Sequence, residues 1–175
     1  AVRRVWRNDA PYISADLPKA LKAFGPPVYY LDFETMSPTI PLYPQTRPFQ
    51  RIPFQWSLHH MDSAGKISHQ EFLAQGNMNP SHEFAISLID AVGNSDESIA
   101  VYSSFEKGVL REIVKQFPLL SDRVNQIITR LNDLLPVVRG NTYFREYGGS
   151  FSIKSVAPVF TSQVNYKDLE HVADG

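Results

Sequence analysis

The segment Val28–Thr35 (VYYLDFET) confines the fold of this chain more than any other. It is an apolar run of strand formers, closed in front by Gly25-Pro26-Pro27 and behind by the prolines at 38, 41, 44, 48 and 53. Such a run reads as a central, buried strand. Its two charges, Asp32 and Glu34, stand at i and i+2, so both carboxylates project from one face and Phe33 from the opposite, packed face. The prolines forbid regular structure over 38–53 and leave a long, stiff loop directly after the acidic strand end, a common neighbourhood for binding sites.

The remaining pattern is mixed. Residues 16–24 (DLPKALKAF) read as a short helix ahead of the first strand. Phe54, Trp56 and Leu58 alternate with Gln55, Ser57 and His59, and after the turn Asp62-Ser63-Ala64-Gly65 a second strand runs from Lys66 to Ala74, giving a hairpin. Asn79-Pro80 opens a helix with Phe84, Ala85, Leu88, Ile89 and Val92 at helical spacing, ending at Gly93-Asn94. Ile99–Tyr102 reads as a fourth strand, Ser103–Phe117 and Ser121–Leu131 as helices, and Leu134–Val138 as a last strand or turn. Tyr147-Gly148-Gly149-Ser150 reads as a flexible turn and Ile153–Phe160 as a short helix. Three sequential strands, a helix, a strand, helices and a fifth strand predict an α/β fold with a mixed five-stranded sheet flanked by helices. The boundaries expected are 1–27 for an N-terminal extension and 28–175 for the domain, which reads as an excerpt of a larger protein.

Composition excludes several chemistries. No cysteine is present among the 175 residues, so disulfides and thiolate metal sites are ruled out, and any metal must be held by oxygen or imidazole ligands, which favours Mg2+ or Mn2+. No stretch approaches the roughly 20 apolar residues of a membrane span, and Ala1–Ala10 carries charges where a signal peptide needs an apolar core, so a soluble cytoplasmic protein without membrane contact is expected. The net charge of −1 gives no global basic field, so nucleic-acid binding would rest on local groups. Those groups are Arg3, Arg4 and Arg7, Arg47 and Arg51 in the proline-rich loop, and Arg139, Arg145 and Lys154.

Two side-by-side anions at the end of an apolar strand repel each other unless a cation sits between them, which makes Asp32 and Glu34 candidate ligands of a divalent ion. Glu106 falls where the fourth strand passes into a helix and could face them; Ser103-x-x-Glu106 also matches a capping box, in which the same residues satisfy free amides. Asp133 is a charge inside an apolar stretch, either a further ligand or a residue that caps or pairs with Arg130. Asp174 beside Gly175 is either a ligand or a turn residue. His59, His60, His69 and His82 show no ligand spacing with the acidic pair; His171, three residues before Asp174, is a candidate general base.

With these residues in view, Tyr30-Leu31-Asp32-Phe33-Glu34-Thr35 resembles the first motif of the DnaQ-like (DEDD) 3′–5′ exonucleases of the ribonuclease H-like superfamily, and Val101-Tyr102-Ser103-Ser104-Phe105-Glu106 resembles their second. The wider pattern, with Pro53–His59, Arg130–Leu134 and Gly149–Lys154, resembles a bacterial family placed in that superfamily, domain of unknown function 2779. The resemblance implies a ribonuclease H-like fold and a two-metal-ion nuclease, with catalytic roles for Asp32, Glu34, Glu106 and Asp174. It implies metal ligation by the same four together with Asp133. Substrate contacts are expected at Phe33, Thr35, Tyr102, Phe105 and Lys154, and Phe49, Phe54 or Tyr102 could stack a terminal base. The expected partners are single-stranded nucleic acid or a 3′ end, and other domains of a larger parent protein. Glu106 stands where the second motif carries aspartate, and neither His171 nor Tyr166 meets the third motif's spacing. The alternative is a catalytically weak module that binds nucleic acid or a protein through an exonuclease-like fold.

Overall fold

The computed structural model describes residues 10–161. In chain order these form β1 (Tyr12–Ile13), α1 (Leu17–Ala20, continued by a 3-10 turn over Leu21–Phe24), β2 (Val28–Met36), β3 (Ile52–Met61), β4 (Ile67–Leu73), α2 (Ser81–Val92) and β5 (Ser98–Val101). They continue with α3 (Phe105–Gln116), α4 (Ser121–Arg130), β6 (Leu131–Asp133), α5 (Leu134–Asn141), β7 (Thr142–Tyr143) and α6 (Ile153–Phe160). The chain divides into two compact units, one spanning 24–133 and the other joining the segments before and after it.

The 24–133 unit is built on a five-stranded mixed sheet of order β4-β3-β2-β5-β6. β2, β3 and β4 form an antiparallel meander, while β5 lies parallel to β2 and β6 parallel to β5. The run Val28–Met36 is thus the middle strand, as its proline-bounded apolar composition predicts. Alternation along it puts Leu31 and Phe33 on one face with Trp56 and Leu58 of β3. Against that face pack Phe84, Ala85, Leu88, Ile89 and Val92 of α2, Val109, Leu110 and Ile113 of α3, and Val124 and Ile127 of α4, forming one continuous core. The helical spacing in 84–92 therefore identifies the buried side of α2 correctly. Burying each of the larger side chains is worth about 1.5–3 kcal/mol, so these residues dominate the unit's cohesion.

The fifth strand departs from expectation. Leu134–Val138 is the start of helix α5, and the strand is the three residues before it, Leu131–Asp133. Leu134, Leu135, Val137 and Val138 fit either period over so short a run. Pro136 decides for the helix, because in a first turn its missing N–H is no loss, whereas in a strand it breaks the ladder.

The second unit is small. β1 pairs antiparallel with β7, Tyr12 opposite Tyr143 and Ile13 opposite Thr142. Tyr147 is buried beneath the turn at Gly148-Gly149, both at positive φ, and its hydroxyl lies 3.0 Å from Thr142 Oγ1. Its ring meets Tyr143 and Phe151 edge-on, so the glycine turn is pinned by an aromatic cluster.

Among the described residues no helix is long and apolar enough to cross a membrane.

Candidate functional site

The parallel strands decide where the acids meet. Val28 pairs with Ser98 and Tyr30 with Ala100, so Asp32 is level with the chain just after β5; Val101 pairs with Asp133, which closes β6. Asp32, Glu34, the 102–106 segment and Asp133 therefore gather at the carboxyl ends of three adjacent strands, the edge where open α/β sheets bind ligands. At Glu34/Thr35 the ladder with β3 slips, so that Glu34 faces Gln55 and Thr35 faces Pro53. The extra residue, Phe54, belongs to β3, so the bend falls on the strand that faces the acidic strand end.

Glu106 is the unusual member. It is only 3 % exposed, and its Oε2 has no hydrogen-bond partner. Burial pushes its carboxyl up to about 7, with the nearby charges of Asp32 and Asp133 adding to the rise and a hydrogen bond from its own backbone amide opposing it. The capping box does not form. Ser104 is the N-cap of α3 and makes no side-chain cap, while the amide of Ser103 donates to Asp133 Oδ1 at 2.8 Å rather than to Glu106. A buried carboxylate oxygen without a donor is costly, on the order of 1–3 kcal/mol or more, and calls for a cation or a proton.

Asp32 keeps one side open to solvent on the face opposite the core. Its carboxyl is nonetheless raised by partial burial, against a hydrogen bond from the Phe33 amide. Asp133 is half-buried and bonds Ser103 rather than Arg130. Ser103 itself sits at φ 97°, a backbone region that favours glycine, so the turn between β5 and α3 is strained at the site. Nothing in the sequence signals that strain.

The other candidates divide. Thr35, Tyr102 and Phe105 are half-buried at the same strand ends. Phe33 does not reach them: it is 3 % exposed with its ring 4.9 Å from Phe84 in the core, which leaves its side chain no surface for substrate. Lys154 is an exposed residue of α6 in the second unit. Asp174 and His171 lie outside the described residues. Phe49 is 68 % exposed, whereas Phe54 is half-buried.

Three histidines of the 24–133 unit lie on the sheet, while His82 of α2 meets the Phe117 ring. His59 and His69 stack at 4.2 Å, His69 Nε2 lies 3.0 Å from Ser57 Oγ, and His60 pairs with Glu97 at 2.7 Å while stacking on Tyr29. Arg130 donates to the Glu97 carbonyl at 2.8 Å and covers Tyr29. A cavity of about 420 Å³ beside Gly93, Asn94, Asp96, Arg123 and Arg130 opens at the opposite, amino-terminal end of β5 and β6, away from the acids.

The donor chemistry at the strand ends, carboxylate oxygens with one orphaned, suits a hard divalent cation. Among the described residues, no three acidic or histidine side chains stand in an ion-holding group. Asp32, Glu106 and Asp133 are thus electrostatically linked without forming a preassembled cage.

No curated protein and no solved structure matches the chain. A protein family with the description Domain of unknown function (DUF2779) matches residues 29–152, which takes in the whole acidic edge and more than half of the chain. The chain belongs to the DUF2779 domain family.

Proposed function

We propose that the chain is a metal-dependent nuclease with a ribonuclease H-like, DnaQ-type site, acting on phosphodiester bonds at the 3′ end of single-stranded DNA or RNA in the cytoplasm. The observation that carries this reading is Glu106, a buried carboxylate with an orphaned oxygen beside Asp32 at the strand ends. The sheet order, three antiparallel strands followed by two parallel additions, supports the same superfamily.

Asp32, Glu34 and Glu106 would hold Mg2+ or Mn2+, with Asp133 at the rim and Asp174 as the further carboxylate expected from the tail. The ions would supply charge stabilisation to the phosphodiester and acidify the attacking water. Of the acids, Asp32 has the open side and would lie nearer a substrate phosphate, whereas Glu106 is buried. Tyr102 and Phe105 are half-buried at the same edge.

The test is manganese-dependent cleavage of a labelled single-stranded oligonucleotide, comparing the wild type with the Asp32→Ala, Glu34→Ala double variant. Cleavage that disappears in the variant is the expected result; equal cleavage by both would refute the assignment. A second reading, a weakly catalytic binding module, is favoured by the absence of a three-acid group among the described residues. It predicts no cleavage by a folded wild type that still binds the oligonucleotide.

A further inference from the structure

Arg51 closes the proline-rich loop and is followed at once by Ile52, the residue that pairs with Met36 at the end of β2. It therefore stands at the same sheet edge as Asp32 and Glu34. Its guanidinium lies over the ring of Phe105, 5.1 Å from the centroid, next in sequence to Glu106. The other side of its seat is Gly108, where a β-carbon would come within 3.3 Å of Nη1. The side chain is thus held between an aromatic ring and a position lacking a side chain, half-buried, with no acidic partner among the described residues.

The Phe105 ring anchors the guanidinium, but no ion pair among the described residues neutralises it. Phe105 and Gly108 belong to the first turns of α3, and a helix start carries partial positive charge, which disfavours a neighbouring cation by a few tenths to about 1 kcal/mol. An arginine fixed by stacking at the first turns of a helix, with no direct ion pair, is arranged to receive an anion with its planar fork. The loop behind it is tied down: the Phe49 amide donates to the Pro38 carbonyl at 2.8 Å, and Gln50 N to Arg47 O at 3.1 Å. Two residues before Arg51, Phe49 exposes its ring at φ 56°.

We propose that Arg51 is a substrate-positioning residue of the acidic edge, binding a backbone phosphate of single-stranded nucleic acid, with Phe49 beside it as the surface on which an unpaired base stacks. The inference rests on the nucleic-acid substrate class of the reading above, but not on catalysis. An arginine at this edge offsets the repulsion between the phosphates and the carboxylates, which the chain's near-neutral charge does not do globally.

The experiment measures binding of a fluorescein-labelled 12-residue oligodeoxythymidylate by anisotropy across a salt series, with a chelator present so that nothing is cleaved. Wild type, Arg51→Gln, Arg51→Lys and Phe49→Ala are compared, each with its Tm. Loss of a charge-assisted phosphate contact predicts affinity lower on the order of tenfold to a hundredfold in Arg51→Gln, at unchanged Tm. The slope of log affinity against log salt should fall by about 0.7. Arg51→Lys should keep that slope with intermediate affinity, and Phe49→Ala should lose affinity without changing the slope. Equal affinity and slope in Arg51→Gln and wild type, or no binding by wild type at low salt, overturns the proposal. Manganese-dependent cleavage is read separately, so a nuclease that does not use Arg51 and a binder that does not cleave are told apart.

Discussion

Asp133, the last residue of β6, accepts the backbone amide of Ser103 through Oδ1 at 2.8 Å, tying the end of one parallel strand to the strained turn after its neighbour. The bond spans thirty positions of sequence and holds the turn that delivers Glu106. Asp133→Ala leaves a half-buried amide without an acceptor and should cost about 1–3 kcal/mol. Asp133→Asn keeps an acceptor oxygen and should stay close to wild type, while Ser103→Gly, which relieves the φ strain but loses the bond from the Phe105 amide to Ser103 Oγ, should change stability by less than about 1 kcal/mol. Urea denaturation checks all three. If Asp133→Ala is as stable as wild type, the bond is not what holds the turn.

Glu106 makes stability depend on pH in a known direction. Its folded-state carboxyl titrates near 7 against 4.5 as the reference value, so between those limits the unfolded chain has released a proton that the folded one retains. Stability should therefore be highest below about pH 4.5 as far as this group is concerned, fall as pH rises toward 7, and level off above it. The penalty at pH 8 is on the order of 3 kcal/mol. Glu106→Gln removes the titration: it should be more stable than wild type at pH 8 and similar at pH 5. Parallel pH profiles for the two proteins in chelator would contradict the raised titration of this buried carboxylate.

Much of this arrangement is legible in the sequence where local pattern and long-range packing agree. The middle strand, the hairpin and the buried side of α2 all follow from period and punctuation, whereas the position of Glu106 leaves a ligand and a capping box equally open. The start of α5 does not, because Leu134–Val138 is short enough to fit two periods and only Pro136 separates them. The β1–β7 ladder is two residues on each side, below the length at which alternation means anything. Phe33 shows the converse limit: its motif suggests substrate, while its strand parity assigns it to the core, and parity prevails because Phe84 occupies its ring face. The Ser103–Asp133 bond and the seat of Arg51 are contacts between distant positions, and nothing local encodes them.

Gly108 separates stability from recognition. An alanine inside α3 gains up to about 1 kcal/mol of helix propensity over glycine. Its β-carbon would stand 3.3 Å from Arg51 Nη1, the far end of a flexible side chain that can move by a few tenths of an ångström. Gly108→Ala should therefore be equally or more stable in urea and bind oligonucleotide less well than wild type. A variant both more stable and fully competent would show that the guanidinium's exact seat is immaterial.

The orphaned oxygen of Glu106 also makes metal binding readable without turnover. A divalent cation bound by the folded state alone raises stability by about 2.7 kcal/mol at a hundred times its Kd, and in a chain of this size each kcal/mol moves Tm by about 2–4 °C. Protons compete for the same carboxylate, which titrates near 7, so millimolar Mn2+ should raise Tm clearly at pH 8 and much less at pH 5.5. On the proposed nuclease reading, Asp32→Asn and Glu106→Gln should each abolish the pH 8 increment, because one would supply an open ligand and the other a buried one. A manganese shift that survives in both variants would place the ion elsewhere on the protein. No shift in wild type at any pH would leave Glu106 a protonated core acid, and the binding-module reading would then replace the nuclease.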